Sequence, residues 1–251
     1  MKKALDNFSR QAETYKRFRP TYPPELYKEI LQYVKERKTC WDCATGNGQV
    51  AQELSKYFSK VYATDLSQKQ LDQAEQQRNI VFKKERSERT GFKDDQFDLI
   101  TVAQAIHWFD METFNKEVRR VSKPGGIIAV WGYGLLRPGE KIDTLLREFY
   151  SEIVGPYWNK ERKHLDNKYE SILFDFDPIN EDKERNILVN WTLNAFEGYL
   201  NSWSSVQHYI QHNKGENPVI PFIEKIKPLW GNKAKRPLKF PLYLKVGRIE
   251  K

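Results

Sequence analysis

The chain of 251 residues contains only two cysteines, and it has no apolar run approaching the ~18 residues that a membrane-spanning helix needs. Its opening stretch, Met1-Lys-Lys-Ala-Leu-Asp-Asn-Phe8, lacks the apolar core of a secretory signal. A cytoplasmic protein with no membrane partner is therefore expected. No internal repeat or low-complexity tract interrupts the sequence. The two cysteines form Cys40-Trp-Asp-Cys43, a spacing shared with redox pairs and zinc sites. On a strand, however, residues i and i+3 point to opposite faces with Cα atoms ~10 Å apart, whereas a disulfide needs them within about 7 Å. Buried free thiols are the expectation. His208 and His212 stand one helical turn apart with no third ligand at zinc-site spacing, so no metal is expected.

Charge of one sign is also scarce where a nucleic-acid platform would need it. The net charge is +8, of which residues 1–134 carry +5, residues 135–213 carry −4 and residues 214–251 carry +7. The basic excess is terminal. Lys233-Ala-Lys-Arg236 reads as a loop, and no aromatic residue is interleaved with it to stack a base. Nucleic acid is thus not the expected partner, with an RNA-contacting C-terminal segment kept as the sharper alternative.

What is present is a glycine-rich turn between a strand and a helix. In Thr39-Cys-Trp-Asp-Cys-Ala-Thr-Gly-Asn-Gly48, Asp42 ends a short apolar strand, and Gly46 and Gly48 allow backbone conformations that a Cβ penalises. Gln49 to Tyr57 then reads as a helix with Val50, Ala51 and Leu54 inward. A second strand, Lys60-Val-Tyr-Ala-Thr64, closes at Asp65, where a carboxylate roughly 20 positions past the glycines can accept hydrogen bonds from a ribose. A dinucleotide fingerprint would need a third glycine where Ala51 stands, and a P-loop would need Gly-Lys-Ser/Thr where Gly48-Gln49-Val50 stands. An acidic residue before the glycines, with no phosphate cradle, suits a cofactor bearing an ammonium group: S-adenosylmethionine. An ordinary tight strand-to-helix turn, or a NAD-binding oxidoreductase, remains the alternative to that reading.

The downstream order narrows the choice. Val81 to Glu88 reads as a third strand, and Phe97 to Gln104 as a fourth with the near-continuous apolar run of a strand buried on both faces. Ala105-Ile-His107-Trp108-Phe-Asp110 follows, then an amphipathic helix Met111 to Val121, the turn Lys123-Pro-Gly-Gly126 and a fifth strand Ile127 to Trp131. This order resembles a class I S-adenosylmethionine-dependent methyltransferase. A closer resemblance is to the trans-aconitate methyltransferase group, carried by Tyr15-x-x-x-Arg19-Pro-x-Tyr22-Pro, Ala105-x-His-Trp-Phe-Asp110, Trp131-Gly-Tyr133, Gly155-Pro-Tyr-Trp158 and Gly247-Arg248. One departure stands out, because such enzymes usually have glycine where this chain has Ala44.

The resemblance implies an α/β fold: a doubly wound, seven-stranded, mostly parallel Rossmann-like sheet under a helical, aromatic-rich cap. Residues 1–38 would be an N-terminal arm and helix (Pro24 to Glu36), and 39–134 the cofactor-binding core. Residues 135–217 would form the cap and substrate insertion, with helices Lys141–Val154 and Leu193–His212 flanking a strand Asn186–Thr192. Residues 218–251 would supply a C-terminal helix and a last strand Phe240 to Gly247, antiparallel at the sheet edge, all within one structural unit. A monomer is expected.

The resemblance further implies that Asp65 binds the ribose, Ser87 and Glu88 the adenine edge, and Ala44, Gly46 and Gln104 the methionine portion. Tyr15 and Arg19 would close over the cofactor's carboxylate, with Asp42, Gly48, Gln49, Leu66 and Ala103 completing that site. Trp108, Tyr133 and Trp158 would face the acceptor. Enzymes of this group esterify small polycarboxylates, which singles out Arg19, Arg137, Arg162 and Lys163 as anion anchors. A small organic acceptor is expected, with carboxyl O-methylation the leading subclass. A carboxylate is ionised at neutral pH and needs no base, whereas a hydroxyl or amine must lose a proton. His107 is the histidine placed for that task, its structural alternative being a hydrogen bond to the backbone at the strand-helix junction.

Overall fold

Strand and helix alternate along the first half of the chain, and the apolar stretches bury accordingly. The computed structural model describes residues 18–231 and 234–251, so the expectations for Tyr15 and Lys233 lie outside the described residues. Helix α1 (Pro24–Leu31) opens on prolines, which have no N–H to leave unsatisfied at a helix start. There follow β1 (Thr39–Cys43), α2 (Gln49–Leu54), β2 (Lys60–Asp65), α3 (Gln68–Leu71), β3 (Ile80–Lys84), β4 (Phe97–Ala103), α4 (Met111–Val121) and β5 (Ser122–Tyr133). The second half contributes α5 (Glu140–Glu148), α6 (Arg162–Asp166), β6 (Asp177–Pro178), β7 (Arg185–Trp191), α7 (Leu193–Asn201), α8 (Ser204–His212), α9 (Val219–Trp230) and β8 (Arg236–Arg248).

The strands form one sheet in the order β3-β2-β1-β4-β5-β8-β6, with β7 also paired on β8. The first five run parallel and β8 runs antiparallel to β5, as the resemblance implied. The sheet has eight strands rather than seven, because β6 and β7 pair with successive parts of the long β8. The chain winds outward from β1 to β3 and then crosses to β4 beside β1. In a parallel sheet that reversal leaves a crevice outside the carboxyl ends of the two strands.

Side chains alternate between two cores, one on each face. Cys40, Leu99, Ala129 and Trp131 pack into one, and Trp41, Cys43, Ile100, Val102 and Val130 into the other. The two cysteines therefore face opposite sides of β1 as free, buried thiols, and burial pushes both well above the ordinary thiol range.

Several elements depart from the expected boundaries. Helix α1, expected to run to Glu36, ends at Leu31; α2, expected to run to Tyr57, ends at Leu54; and the strand expected over Val81 to Glu88 spans Ile80–Lys84. The Lys123–Gly126 turn lies inside β5, where the register jumps between Phe97↔Ser122 and Leu99↔Ile127 and Gly125 takes φ +72°. The helix expected over Lys141–Val154 stops at Glu148 and continues as a π turn, Phe149–Ile153. The helix expected over Leu193–His212 is two helices, because Trp203 takes an extended backbone (ψ 135°) and buries its indole against Phe149, Tyr150, Trp158 and Tyr199. A hydrophobic pattern cannot distinguish one helix from two that share a buried side.

The outer part of the sheet is fastened to α1 by a bidentate ion pair. Arg185 on β7 donates from Nε and Nη2 to the two carboxylate oxygens of Glu29, at 3.0 and 2.6 Å, with the side chains only 9% and 11% exposed. Burial alone would raise the Glu29 carboxyl, but hydrogen bonds and charge from Arg185 and Lys183 outweigh it and hold the group below its ordinary value. The native state then binds the proton more weakly than the unfolded chain does. The pair's stabilisation is present above the ordinary glutamate value and is lost as pH falls through the depressed one. Glu29→Gln should lower stability at pH 7 by about 3 kcal/mol, since it strands a mostly buried guanidinium. The deficit should shrink on acidification, and urea denaturation midpoints at pH 7 and pH 4 measure it.

Candidate functional site

The backbone turns sharply where β1 ends. Ala44, Gly46 and Gly48 all take left-handed φ, at +54°, +57° and +82°. For Ala44 this costs on the order of 1 kcal/mol that a glycine would avoid, so the departure at this position carries local strain. The two glycines serve different ends. A Cβ on Gly48 would meet the Phe82 ring at 3.0 Å and Ala74 Cβ at 3.2 Å, so this glycine lets α2 pack closely on the β3 side. A Cβ on Gly46 would meet nothing nearer than Gln70 Oε1 at 3.9 Å. The space above Gly46 is left open.

Asp65 at the end of β2 organises the turn from the side. Its Oδ2 accepts the Gly46 N–H at 2.9 Å and its Oδ1 the Ser67 N–H at 2.8 Å. Leu66 beside it is 39% exposed, an apolar surface at the mouth of the crevice. Asp42 acts from beneath. It is 1% exposed; its carboxylate accepts the Thr45 hydroxyl and, at 2.8 Å, the Thr101 hydroxyl of β4. The carboxylate thus ties the loop to the neighbouring strand. Burial drives its pKa up from the ordinary 3.8 to about 7, against the lowering effect of the two hydroxyls and the Ala51 amide.

Across the crevice, β4 ends the same way as β1. Gln104 has φ +56°, donates its N–H to Trp131 O at 2.9 Å and turns its side-chain amide to Tyr133 O at 3.3 Å. Ala103, preceding it, is half-buried. Ser87 and Glu88 lie buried beyond β3, with Glu88 accepting the Asp110 N–H at 3.3 Å and pairing with Arg86. Gln49, at the start of α2, reaches Pro20 O at 3.4 Å and so touches the N-terminal segment.

Above Gln104, a cleft opens between the strand ends and the cap, lined by Arg19, Gln104, His107, Trp108, Trp158, Asn159, Arg162, Leu165 and Ser204. Arg19 donates to the Tyr133 hydroxyl at 3.2 Å and to Ser202 O at 3.1 Å, and its guanidinium lies 5.3 Å from the Tyr199 ring centre. Tyr133 is itself buried and forms the wall beneath Arg19 rather than the cleft surface. Arg162 donates from Nε to the Tyr150 hydroxyl at 2.9 Å and, less closely, to Asp166, while its guanidinium stacks 4.6 Å from the Trp158 ring centre. Among the described residues neither of its terminal nitrogens hydrogen-bonds to the protein. The guanidinium is thus oriented from behind, with its donor fork left for a ligand. Of the other anion anchors named from sequence, Arg137 sits outside the cleft in a backbone bridge to Lys239, and Lys163 is exposed. Sequence reasoning missed Tyr150 and Tyr169, whose partners lie 12 and 62 residues away. His208 and His212 gather around Tyr157.

Residues 41–130 match the family described as "Methyltransferase domain". A Dictyostelium discoideum protein named as a methyltransferase is 32% identical, over 98% of this chain and 95% of its own. The solved structure of a type II methyltransferase from Anaeromyxobacter dehalogenans is 30% identical, superposes with a TM-score of 0.85, and covers 93% of this chain and 99% of that one. The chain belongs to the class I S-adenosylmethionine-dependent methyltransferases. A Saccharomyces cerevisiae relative, named as an S-adenosylmethionine-dependent methyltransferase, is 25% identical over 86% of both chains.

The methyltransferase's cofactor is S-adenosyl-L-methionine, and the strand ends suit it. The space over Gly46, the Asp65 carboxylate beside it and the absence of a phosphate cradle fit a nucleoside with no phosphate. The loop that borders this space is held by Asp42, which gives the methyltransferase a pH signature. Because the native state binds this proton more tightly than the unfolded chain, stability falls as pH rises from about 4 to about 7 and is flat above. Asp42→Asn, uncharged at every pH, should gain stability relative to wild type across that window by on the order of 2–4 kcal/mol. Urea midpoints of the two proteins, measured in steps from pH 4.5 to pH 8, give this difference, and parallel curves would exclude it.

Proposed function

We propose that the enzyme methylates a small organic acid on a carboxyl oxygen, within the cleft between the sheet's carboxyl edge and the helical cap. The observation that carries the proposal is Arg162, a cation set by Tyr150, Asp166 and Trp158 with its terminal nitrogens uncommitted. Bound S-adenosylmethionine supplies an electrophilic sulfonium methyl. The protein's task is then to hold an acceptor oxygen in line, ~3–3.5 Å away, and to keep water out. Arg162, with Arg19 on the opposite wall, would draw in and orient the acid. Trp108, Trp158 and Leu165 would supply an apolar enclosure. A carboxylate at neutral pH already carries the lone pair it needs, so His107 would serve as a cleft wall and hydrogen-bonding group rather than as a base.

For the cofactor, Asp65 would hold the ribose hydroxyls and Leu66 the face of the base, with Ser87 and Glu88 at the adenine edge. Gly46, Ala44, Ala103 and Gln104 would border the methionine portion. Gly48 and Gln49 would shape the loop and helix start from behind, and Asp42 would act on the loop alone. Membership of the trans-aconitate methyltransferase group is consistent with this cleft and is part of the same proposal. For an RNA acceptor the supporting feature would be the basic segment near β8, but Arg236 is folded inward there, donating to Pro138 O and Leu229 O. A NAD-binding site would want a glycine where Ala51 is fully buried.

Incubation with methyl-labelled S-adenosylmethionine and a panel of mono-, di- and tricarboxylic acids should give products that release label in mild alkali, as methyl esters do. Alkali-stable products formed only from amines or phenols would overturn the carboxyl reading. Arg162→Gln should raise the KM for the acid by tenfold or more, in keeping with loss of a charge-assisted hydrogen bond, while leaving cofactor affinity unchanged. Separately, Asp65→Ala should weaken S-adenosylmethionine binding by about 1.5–3 kcal/mol. Isothermal titration showing equal affinity for both proteins would remove the ribose assignment.

A further inference from the structure

The segment after α6 holds two consecutive non-glycine residues in the left-handed region, Lys168 at φ +50° and Tyr169 at φ +62°. Such pairs persist only where the surroundings over-determine them. Here the Lys168 N–H donates to Leu165 O at 3.0 Å and the Tyr169 N–H to His164 O at 2.7 Å. The Tyr169 ring is 1% exposed and lies over Gly132 of β5, where a Cβ would come within 2.7 Å of the phenol oxygen and 2.8 Å of the ring. The absent side chain at Gly132 is what admits the ring. From this seat Tyr169 stacks on the imidazole of His107 at 5.9 Å between ring centres and 23° between planes, with its hydroxyl 3.4 Å from Nδ1. His107 is 6% exposed and forms part of the cleft wall, and Trp108 closes its other side at 4.9 Å.

We propose that Tyr169 is a positioning residue for His107: its phenol donates to Nδ1 and holds the imidazole in the neutral form that carries its proton on Nε2. Of the two ways to share this hydrogen bond, O–H to ring nitrogen is the stronger, because the imidazole nitrogen is far more basic than a phenol oxygen and the phenol is the better acid. The nitrogen that the partner occupies determines the tautomer. Two consequences follow. The proton on Nε2 removes that nitrogen as a base and makes it a donor, the form that suits a cleft receiving an anion. The left-handed backbone at Lys168 and Tyr169 is what seats the ring over Gly132 and brings its hydroxyl to Nδ1.

The proposal goes beyond the carboxyl-methylation reading and is tested without any acceptor. Nitrogen-15 and proton NMR of the histidine-labelled full-length protein reads the tautomer and titration of each imidazole, and the His107 signals are those absent from a His107→Asn sample. Wild type at pH 8 should show neutral His107 with Nε2 protonated and Nδ1 as the acceptor. Tyr169→Phe, which keeps the ring over Gly132, should bring in the other tautomer to at least a tenth of the population and shift the His107 titration midpoint. A wild-type His107 protonated on Nδ1 would overturn the proposal, and this result needs no variant to fold. An unchanged tautomer and midpoint in a folded Tyr169→Phe protein would equally overturn it, leaving Tyr169 as packing alone. An alkali-stable product in the acceptor panel would leave these spectra unaffected, so the two readings fail separately.

Discussion

The Asp42 carboxylate is the contact on which the rest of the crevice depends. It lies out of water at the end of β1, and its two oxygens bind hydroxyls from different elements: Thr45 in the turn and Thr101 on the adjacent strand β4. Those are the strands between which the chain reverses its winding, so one side chain fixes both lips of the crevice. A neutral apolar residue could fill the volume but could not fix two hydroxyls at once. A group buried this deeply is costly to ionise, which is why its pKa rises toward neutrality. Asp65, by contrast, reaches the turn from the next strand and remains partly open to solvent.

Two strained residues lie at the same level. Ala44 and Gln104 end neighbouring strands, and both are held in a conformation that residues with a Cβ usually avoid. Each is secured by its surroundings: the turn after Ala44 through Thr45 N–H to Thr64 O, and Gln104 through its N–H to Trp131 O. The left-handed turn redirects the chain abruptly at the carboxyl edge and keeps the following backbone from covering the crevice. A relaxed extension of either strand would have carried side chains across the space that the nucleoside needs.

Much of this was legible in the sequence because it is local. The span of α4 and the split of Cys40 and Cys43 between two faces follow from period and spacing, whereas the parallel order of five strands and the antiparallel last strand came from the family resemblance. The left-handed turn at Gly46 and Gly48 was legible too, but the two glycines were not separable, because what distinguishes them is Phe82 and Ala74 arriving from elsewhere in the chain. Asp42 was only partly legible for a related reason: its place before the glycines is local, but its hydrogen bond from Thr101 comes from 59 residues on. The helix break at Trp203 and the eighth strand were hidden because an inward-facing residue satisfies the hydrophobic pattern in either conformation, and because β6 is only two residues long.

The crevice and the cleft are built from two kinds of structure. The crevice at Gly46 is formed by strand termini and backbone, where geometry is fixed by the sheet ladder. The cleft is walled in part by the cap, where Arg162 is held by one residue from the π turn, one from its own helix and one from the loop between: Tyr150, Asp166 and Trp158. A guanidinium stacked on an indole gains about 1–2 kcal/mol from the ring face when water is excluded, and that stacking leaves its edge available for planar hydrogen bonding. Arg19 joins the sheet to the cap. It comes from the N-terminal segment, touches the sheet through Tyr133 and the cap through Ser202 and Tyr199, and lines the cleft between them. A change in how that segment seats would therefore alter the cleft wall and the cap together.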